Sequence, residues 1–254
     1  GCSSTNAVSL TENALPEPEI TGESFFCAGD SIVLQATAGF ESYSWNDGSA
    51  NDSLIVSTQG PSTVTVTDAN GCQGEASFFV DEISLPAPQI NGVPAFCPGE
   101  STTLSASSIF ASYAWSTGDT TGTTAVANPG NVTLTVTNAQ GCVGTTTIET
   151  SEYATSVPQI DGAPNFCPGT STTLTAEAGF ENYQWSNNTG TPEVEVTAPG
   201  TIEVTVTDAN GCENSTSQTV TAQPLPEFNI TGTLTFCDGE AVVLGVDSTF
   251  ESYQ

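Results

Sequence analysis

Eight cysteines carry the most distinctive side-chain chemistry in this 254-residue sequence, and their spacing is strict. Cys27, Cys97, Cys167 and Cys237 stand seventy residues apart, and Cys2, Cys72, Cys142 and Cys212 keep the same step. Thiols in register can hold a metal or pair as disulfides. Zinc fits poorly, because the intervals alternate between 25 and 45 residues with no CxxC pair and no histidine. Disulfides fit well, and they place the chain in an oxidising, extracellular compartment.

Composition removes other chemistries. There is no Lys, Arg or His against 29 Asp and Glu, a formal charge of −29. Without cations the chain cannot neutralise phosphates, so nucleic acid is not a partner. An anionic membrane surface repels it as well, and no apolar run is long enough to enter a bilayer. Histidine-based general-base and triad chemistry cannot be assembled. Two-carboxylate glycosidase chemistry stays formally open, yet Asp and Glu rarely hold one register in all three copies. The sequence therefore reads as a non-enzyme with no cofactor. Self-repulsion at this charge suits a saline or divalent-rich medium, where screening is short.

The elements that position the cysteines repeat with them. "TVTVTDANGC" at 63–72 returns as "TLTVTNAQGC" at 133–142 and "EVTVTDANGC" at 203–212. Trp45, Trp115 and Trp185 keep the step, as do Tyr43, Tyr113, Tyr183 and Tyr253. No insertion separates the copies, the mark of an array of like units. The expected divisions are 1–15 as the end of a preceding repeat, whole repeats at 16–85, 86–155 and 156–225, and 226–254 as the start of another. The chain reads as a window cut from a longer protein.

Within 86–155, "PAPQI" suits a linker entering an edge strand. Pro98-Gly99 marks a turn, and Thr102, Leu104 and Ala106 alternate with polar residues as a strand. Tyr113 and Trp115 share one face of the next strand. Val132, Leu134 and Val136 face inward while Thr133, Thr135 and Thr137 face out. Six or seven short antiparallel strands without helical periodicity predict an all-β fold: a tandem array of immunoglobulin-like antiparallel β-sandwiches with a 70-residue repeat. Tyr43, Trp45, Tyr113, Trp115, Tyr183 and Trp185 belong to the cores.

A sandwich this small calls for a covalent staple. Pairing within units would join Cys27 to Cys72, Cys97 to Cys142 and Cys167 to Cys212. In an immunoglobulin-like order those positions fall at opposite ends of the sandwich, which favours Cys27 with Cys142 and Cys97 with Cys212. Cys72 would then pair upstream and Cys167 downstream. A meander order would restore the within-unit bonds, and bonds between parallel copies of the chain are a third arrangement.

The combined motif "FCxGxSxxL…YxW…G…VTVTDANGC" resembles the immunoglobulin-like and PKD-like repeats of giant Bacteroidota cell-surface proteins. The resemblance implies export by the type 9 secretion system and a structural or adhesive role, as in gliding adhesins, extracellular filaments or a grappling-hook-type appendage. It implies no catalytic residues. Within that phylum's O-glycan acceptor pattern, Asp-Ser and Asp-Thr pairs make Ser31, Ser53, Thr120 and Ser248 candidates for modification. The Asn131-Val132-Thr133 sequon carries little weight in a bacterial protein.

Three further features have both a functional and a purely structural explanation. Asp68 to Gly71 and Asp208 to Gly211 offer oxygens to Ca²⁺, but Asn138 and Gln140 weaken the second copy and turn chemistry explains Asn-Gly. Phe25-Phe26, Phe40 and Phe78-Phe79 are candidates for a lateral self-association patch, set against core or linker packing. The loops at 46–53, 116–123 and 186–193 differ most between copies and suit glycan or partner recognition. The leading expectation is a disulfide-stapled structural shaft self-associating into a homo-oligomeric filament. An adhesin array facing prey, host or glycan surfaces is the alternative, and a spacer in a secreted enzyme the third.

Overall fold

The structure is a computed structural model that describes residues 2–247. Tyr253 and Ser248 lie outside the described residues. The first repeat contains β1 (Ile20–Thr21), β2 (Phe25–Cys27), β3 (Ile32–Ala36), β4 (Ser42–Trp45), β5 (Ser53–Val56), β6 (Gly60–Thr67) and β7 (Gln73–Ile83). The second contains β8 (Ile90–Asn91), β9 (Ala95–Phe96), β10 (Thr102–Ala106), β11 (Ser112–Trp115), β12 (Thr123–Val126), β13 (Gly130–Thr137) and β14 (Val143–Glu152). The third contains β15 (Ile160–Gly162), β16 (Asn165–Phe166), β17 (Thr172–Ala176), β18 (Asn182–Trp185), β19 (Glu193–Val196), β20 (Gly200–Thr207) and β21 (Glu213–Ala222). The pair β22 (Ile230–Thr231) and β23 (Gly245–Val246) follows.

Two sheets form each sandwich. In the first repeat they run β1-β3-β5 and β2-β7-β6-β4, and the third repeat matches with β15-β17-β19 and β16-β21-β20-β18. This is the strand order of an immunoglobulin-like sandwich. One expectation needs amending: not every pair is antiparallel. Strands β2 and β16 lie parallel to the ends of β7 and β21. The chain crosses from one sheet to the other between β1 and β2, so its second short strand meets the far sheet running the same way as β7.

Alternation builds the core. Along β6, Val64 and Val66 are fully buried while Thr63, Thr65 and Thr67 look outward. Trp45 fills the first core with Leu34, Leu54 and Val80, and Trp185 fills the third with Leu174, Val194 and Val220. Each indole satisfies its N–H on a loop carbonyl at 2.9 Å: Asn51 for Trp45, Thr121 for Trp115, Thr191 for Trp185. The tyrosines are half-buried. Each accepts from the backbone three residues earlier and stands edge-on to Phe40, Phe110 or Phe180, pinning the loop before the tryptophan strand.

The compact units cut across the seventy-residue copies. Among the described residues, one is 2–95 with Ser101–Ser151, the other Phe96–Glu100 with 152–247. The short segment carrying Cys97 joins the second unit because it is bonded there.

Candidate functional site

The candidate site is a cysteine junction built from two turns that recur in every repeat. The first turn is Cys27-Ala28-Gly29-Asp30. Asp30 N donates to Cys27 O at 2.8 Å, and Gly29 has φ +91°. A β-turn with positive φ at its third residue takes glycine there and favours proline just before it. Cys97-Pro98-Gly99 and Cys167-Pro168-Gly169 satisfy both preferences, with the closing bond at 3.0 Å in each. The turn holds its cysteine at the tip of the short parallel strand.

The second turn precedes β7, β14 and β21. Asp68 Oδ1 accepts from Asn70 N at 2.9 Å and Cys72 N at 2.8 Å, while Asp68 N donates to Cys72 O at 3.0 Å. Asn138 does the same for Gln140 and Cys142, and Asp208 for Asn210 and Cys212. A short side chain accepting from its own backbone two residues on is standard turn chemistry. The "DANGC" motif is thus a brace that fixes a cysteine at the head of a long strand.

Strand register decides the pairing. Cys27 lies opposite Ile83, at the far end of β7, whereas Cys72 immediately precedes that strand. Eleven residues at about 3.3 Å each put them roughly 36 Å apart, far beyond the ~7 Å that a disulfide spans. Cys27 instead bonds Cys142 of the next repeat, with Cα atoms 5.6 Å apart. Cys97 bonds Cys212 with 5.4 Å between Cα atoms. The within-unit alternative is not formed. Cys142 and Cys212 are 1% and 3% exposed, so each bond is shielded on one side. Cys2, Cys167 and Cys237 are exposed thiols, and Cys72 is a half-buried one.

The other candidates disperse. Ser31 and Thr120 are exposed, while Ser53 is half-buried in β5 opposite Gln35. Among the described residues no three metal-ligating side chains cluster. The phenylalanines do not gather into one patch: Phe26 is buried in the core, Phe40 and Phe78 pack against it, and Phe79 faces outward. In the loop at 46–53, Asp47 accepts from the Ser49 hydroxyl at 2.7 Å and from Ser49 N at 2.9 Å. Those bonds, the hydroxyl's foremost, hold its carboxyl below the ordinary range.

Sequence reasoning missed two features. Thr124 is buried where the other repeats carry Leu54 and Val194; its hydroxyl donates to Asp119 Oδ2 at 2.7 Å and lies 2.6 Å from the Thr117 hydroxyl. Asp119 one turn before a strand was the available signal. The second is the fit of the Pro16 and Pro86 carbonyls onto the strand glycines Gly74 and Gly144.

No protein-family model matches the chain, and neither does any curated protein. Among solved structures it is similar to a 1.5-MDa bacterial ice-binding adhesin studied for host cell surface retention. Identity there is 14%, covering 84% of this chain and 100% of that one, with a TM-score of 0.34. It is also similar to the N-terminal four Ig domains of Dscam1 isoform 6.44, at 12% identity over 84% of this chain and 73% of that one, TM-score 0.22. Murine CEACAM1b matches at 11% over 54% and 100%, TM-score 0.26. Likenesses this distant carry no argument about function. The fold rests on the strand order itself: the chain is an all-β tandem array of immunoglobulin-like sandwiches.

Proposed function

We propose that this chain is part of the shaft of an extracellular filament or surface appendage, whose repeats are stapled to one another to bear load. One observation carries the reading: Cys27 bonds Cys142 across a repeat boundary, and Cys97 bonds Cys212 at the same sequence separation of 115. Such a bond leaves each sandwich held by hydrogen bonds and core packing, while the covalent route between repeats is shortened. From Cys142 the chain runs only to Cys167 before the next cysteine of the first kind. Cys72 and Cys167 sit in the same turns as their bonded counterparts, and in this reading they take part in the same bond with neighbouring repeats. The two disulfides support a location outside the cell, in an oxidising compartment. Absence of histidine, lysine and arginine supports a non-catalytic role, and self-association into a homo-oligomeric filament goes with it.

Single-molecule stretching tests the reading. With bonds intact, the shortest covalent path runs to Cys27, back from Cys142 to Cys97, and on from Cys212, fewer than half of the 254 residues. At ~3.5 Å per residue the reduced chain extends to roughly 890 Å and the oxidised chain to less than roughly 450 Å. Equal extensions in both states would overturn the proposal.

A specific observation keeps the adhesin alternative. Val33 and Ile55, paired across β3 and β5, are 57% and 71% exposed in the first repeat. The corresponding pairs are Thr103 with Ala125 and Thr173 with Glu195. Glycan-array binding lost in Val33→Thr/Ile55→Glu would favour adhesion; silence from the oxidised chain favours the shaft.

A further inference from the structure

Pro18, Pro88 and Pro158 are buried in all three repeats, and each anchors the segment entering its sandwich. The next carbonyl is also fixed in each copy: Glu19, Gln89 and Gln159 accept from Thr37, Ser107 and Glu177 at 2.8–2.9 Å. Two residues before the buried proline, the copies part. In the first repeat the Pro16 carbonyl lies over Gly74 in β7, in the space that any Cβ would occupy. In the second, Pro86 lies over Gly144 of β14 in the same way. The third repeat has Ser156 and Asn214 at these positions.

The two replacements belong together. A side chain at position 214 fills the space the carbonyl would need, and serine lacks the ring that fixes φ near −65° in proline. Ser156 is accordingly exposed, whereas Pro16 and Pro86 are half-buried. The Asn214 side chain turns to its own neighbour, accepting from Ser215 N at 3.0 Å. Upstream, the last backbone bonds of the preceding strands are Ala28 N to Ile83 O and Tyr153 N to Phe96 O, both 2.9 Å. Residues 84–85 are therefore all that lies between strand and proline contact in the first linker, against 154–157 in the second.

We infer that Pro16 with Gly74, and Pro86 with Gly144, are clamps that stiffen the linker entering a repeat, and that the third repeat lacks one. Residues 154–157 are then the segment that moves freely, while the Cys97–Cys212 bond keeps the chain covalently closed across it. The inference concerns linker motion and does not depend on the shaft proposal.

Backbone ¹⁵N relaxation on the full oxidised chain tests it. Order parameters of about 0.85 are expected at Leu85 and Ala87, as in the strands, and under about 0.6 at Thr155 and Val157. Gly144→Asn should lower Leu85 and Ala87 to the Val157 level, and Ser156→Pro/Asn214→Gly should raise Thr155 and Val157 to the strand level. The double variant restores residues the other repeats already carry, so it decides the matter if Gly144→Asn fails to fold. Equal order parameters in the two linkers, or a double variant that leaves 155 and 157 low, would overturn the clamp.

Discussion

At the scale of single residues, the junction depends on side chains that touch neither sulfur. Asp68, Asn138 and Asp208 each take two backbone N–H groups, the second belonging to the cysteine itself. Replacing Asn138 by alanine strands both donors and should destabilise the unit by about 1–2 kcal/mol. Asn138→Asp keeps the acceptor and should stay within about 0.5 kcal/mol. Thermal melts of the oxidised protein compare the two directly, and equal losses would show that the side-chain acceptor does not brace the turn. This role was half legible in the sequence: Asp-Ala-Asn-Gly announces a turn, but the same letters also suit calcium. Only the geometry shows the carboxylate oxygen occupied by amides.

At the scale of the element, the second repeat differs in what its strands bury. Thr124 of β12, itself 2% exposed, puts a hydroxyl into a core that elsewhere holds leucine or valine. Its partners Asp119 and Thr117 are exposed and can turn to water. Thr124→Val should therefore stabilise by roughly 1 kcal/mol, since burying the methyl outweighs a modest hydrogen bond. Trp115→Ala in the same sandwich should cost about 3–5 kcal/mol. Chemical denaturation of both variants checks the pair; a destabilised Thr124→Val would mean that the threonine network contributes more than packing. The long strands were readable because Val132, Leu134 and Val136 alternate with threonine over a full strand. The parallel edge strands were not, since Phe25–Cys27 and Asn165–Phe166 are too short to show any period. Nor were the proline and glycine contacts, which join residues 58 positions apart and leave no local trace.

At the scale of the whole molecule, charge and cystines act in opposite directions. With a formal charge of −29 and no cation to offset it, compaction is opposed by self-repulsion that salt relieves. The melting temperature should rise steadily between about 10 mM and 1 M sodium chloride, and a flat response would show that the charges are too dispersed to matter. The cystines act on the unfolded chain. Closing a loop of 115 residues contributes about 5 kcal/mol by the chain-entropy estimate, and the two loops interlock because Cys97 lies inside the first and Cys142 inside the second. Covalent continuity from one repeat to the next is what the shaft proposal depends on.

Non-reducing peptide mapping after cleavage at Asp and Glu tests that claim most directly. The fragments 24–30, 69–75, 83–100, 120–149 and 209–213 each hold one cysteine. Bonds across the repeat boundaries predict 24–30 linked to 120–149 and 83–100 linked to 209–213. Linkage of 24–30 to 69–75, with 83–100 joined to 120–149, would contradict it and leave three separately stapled beads.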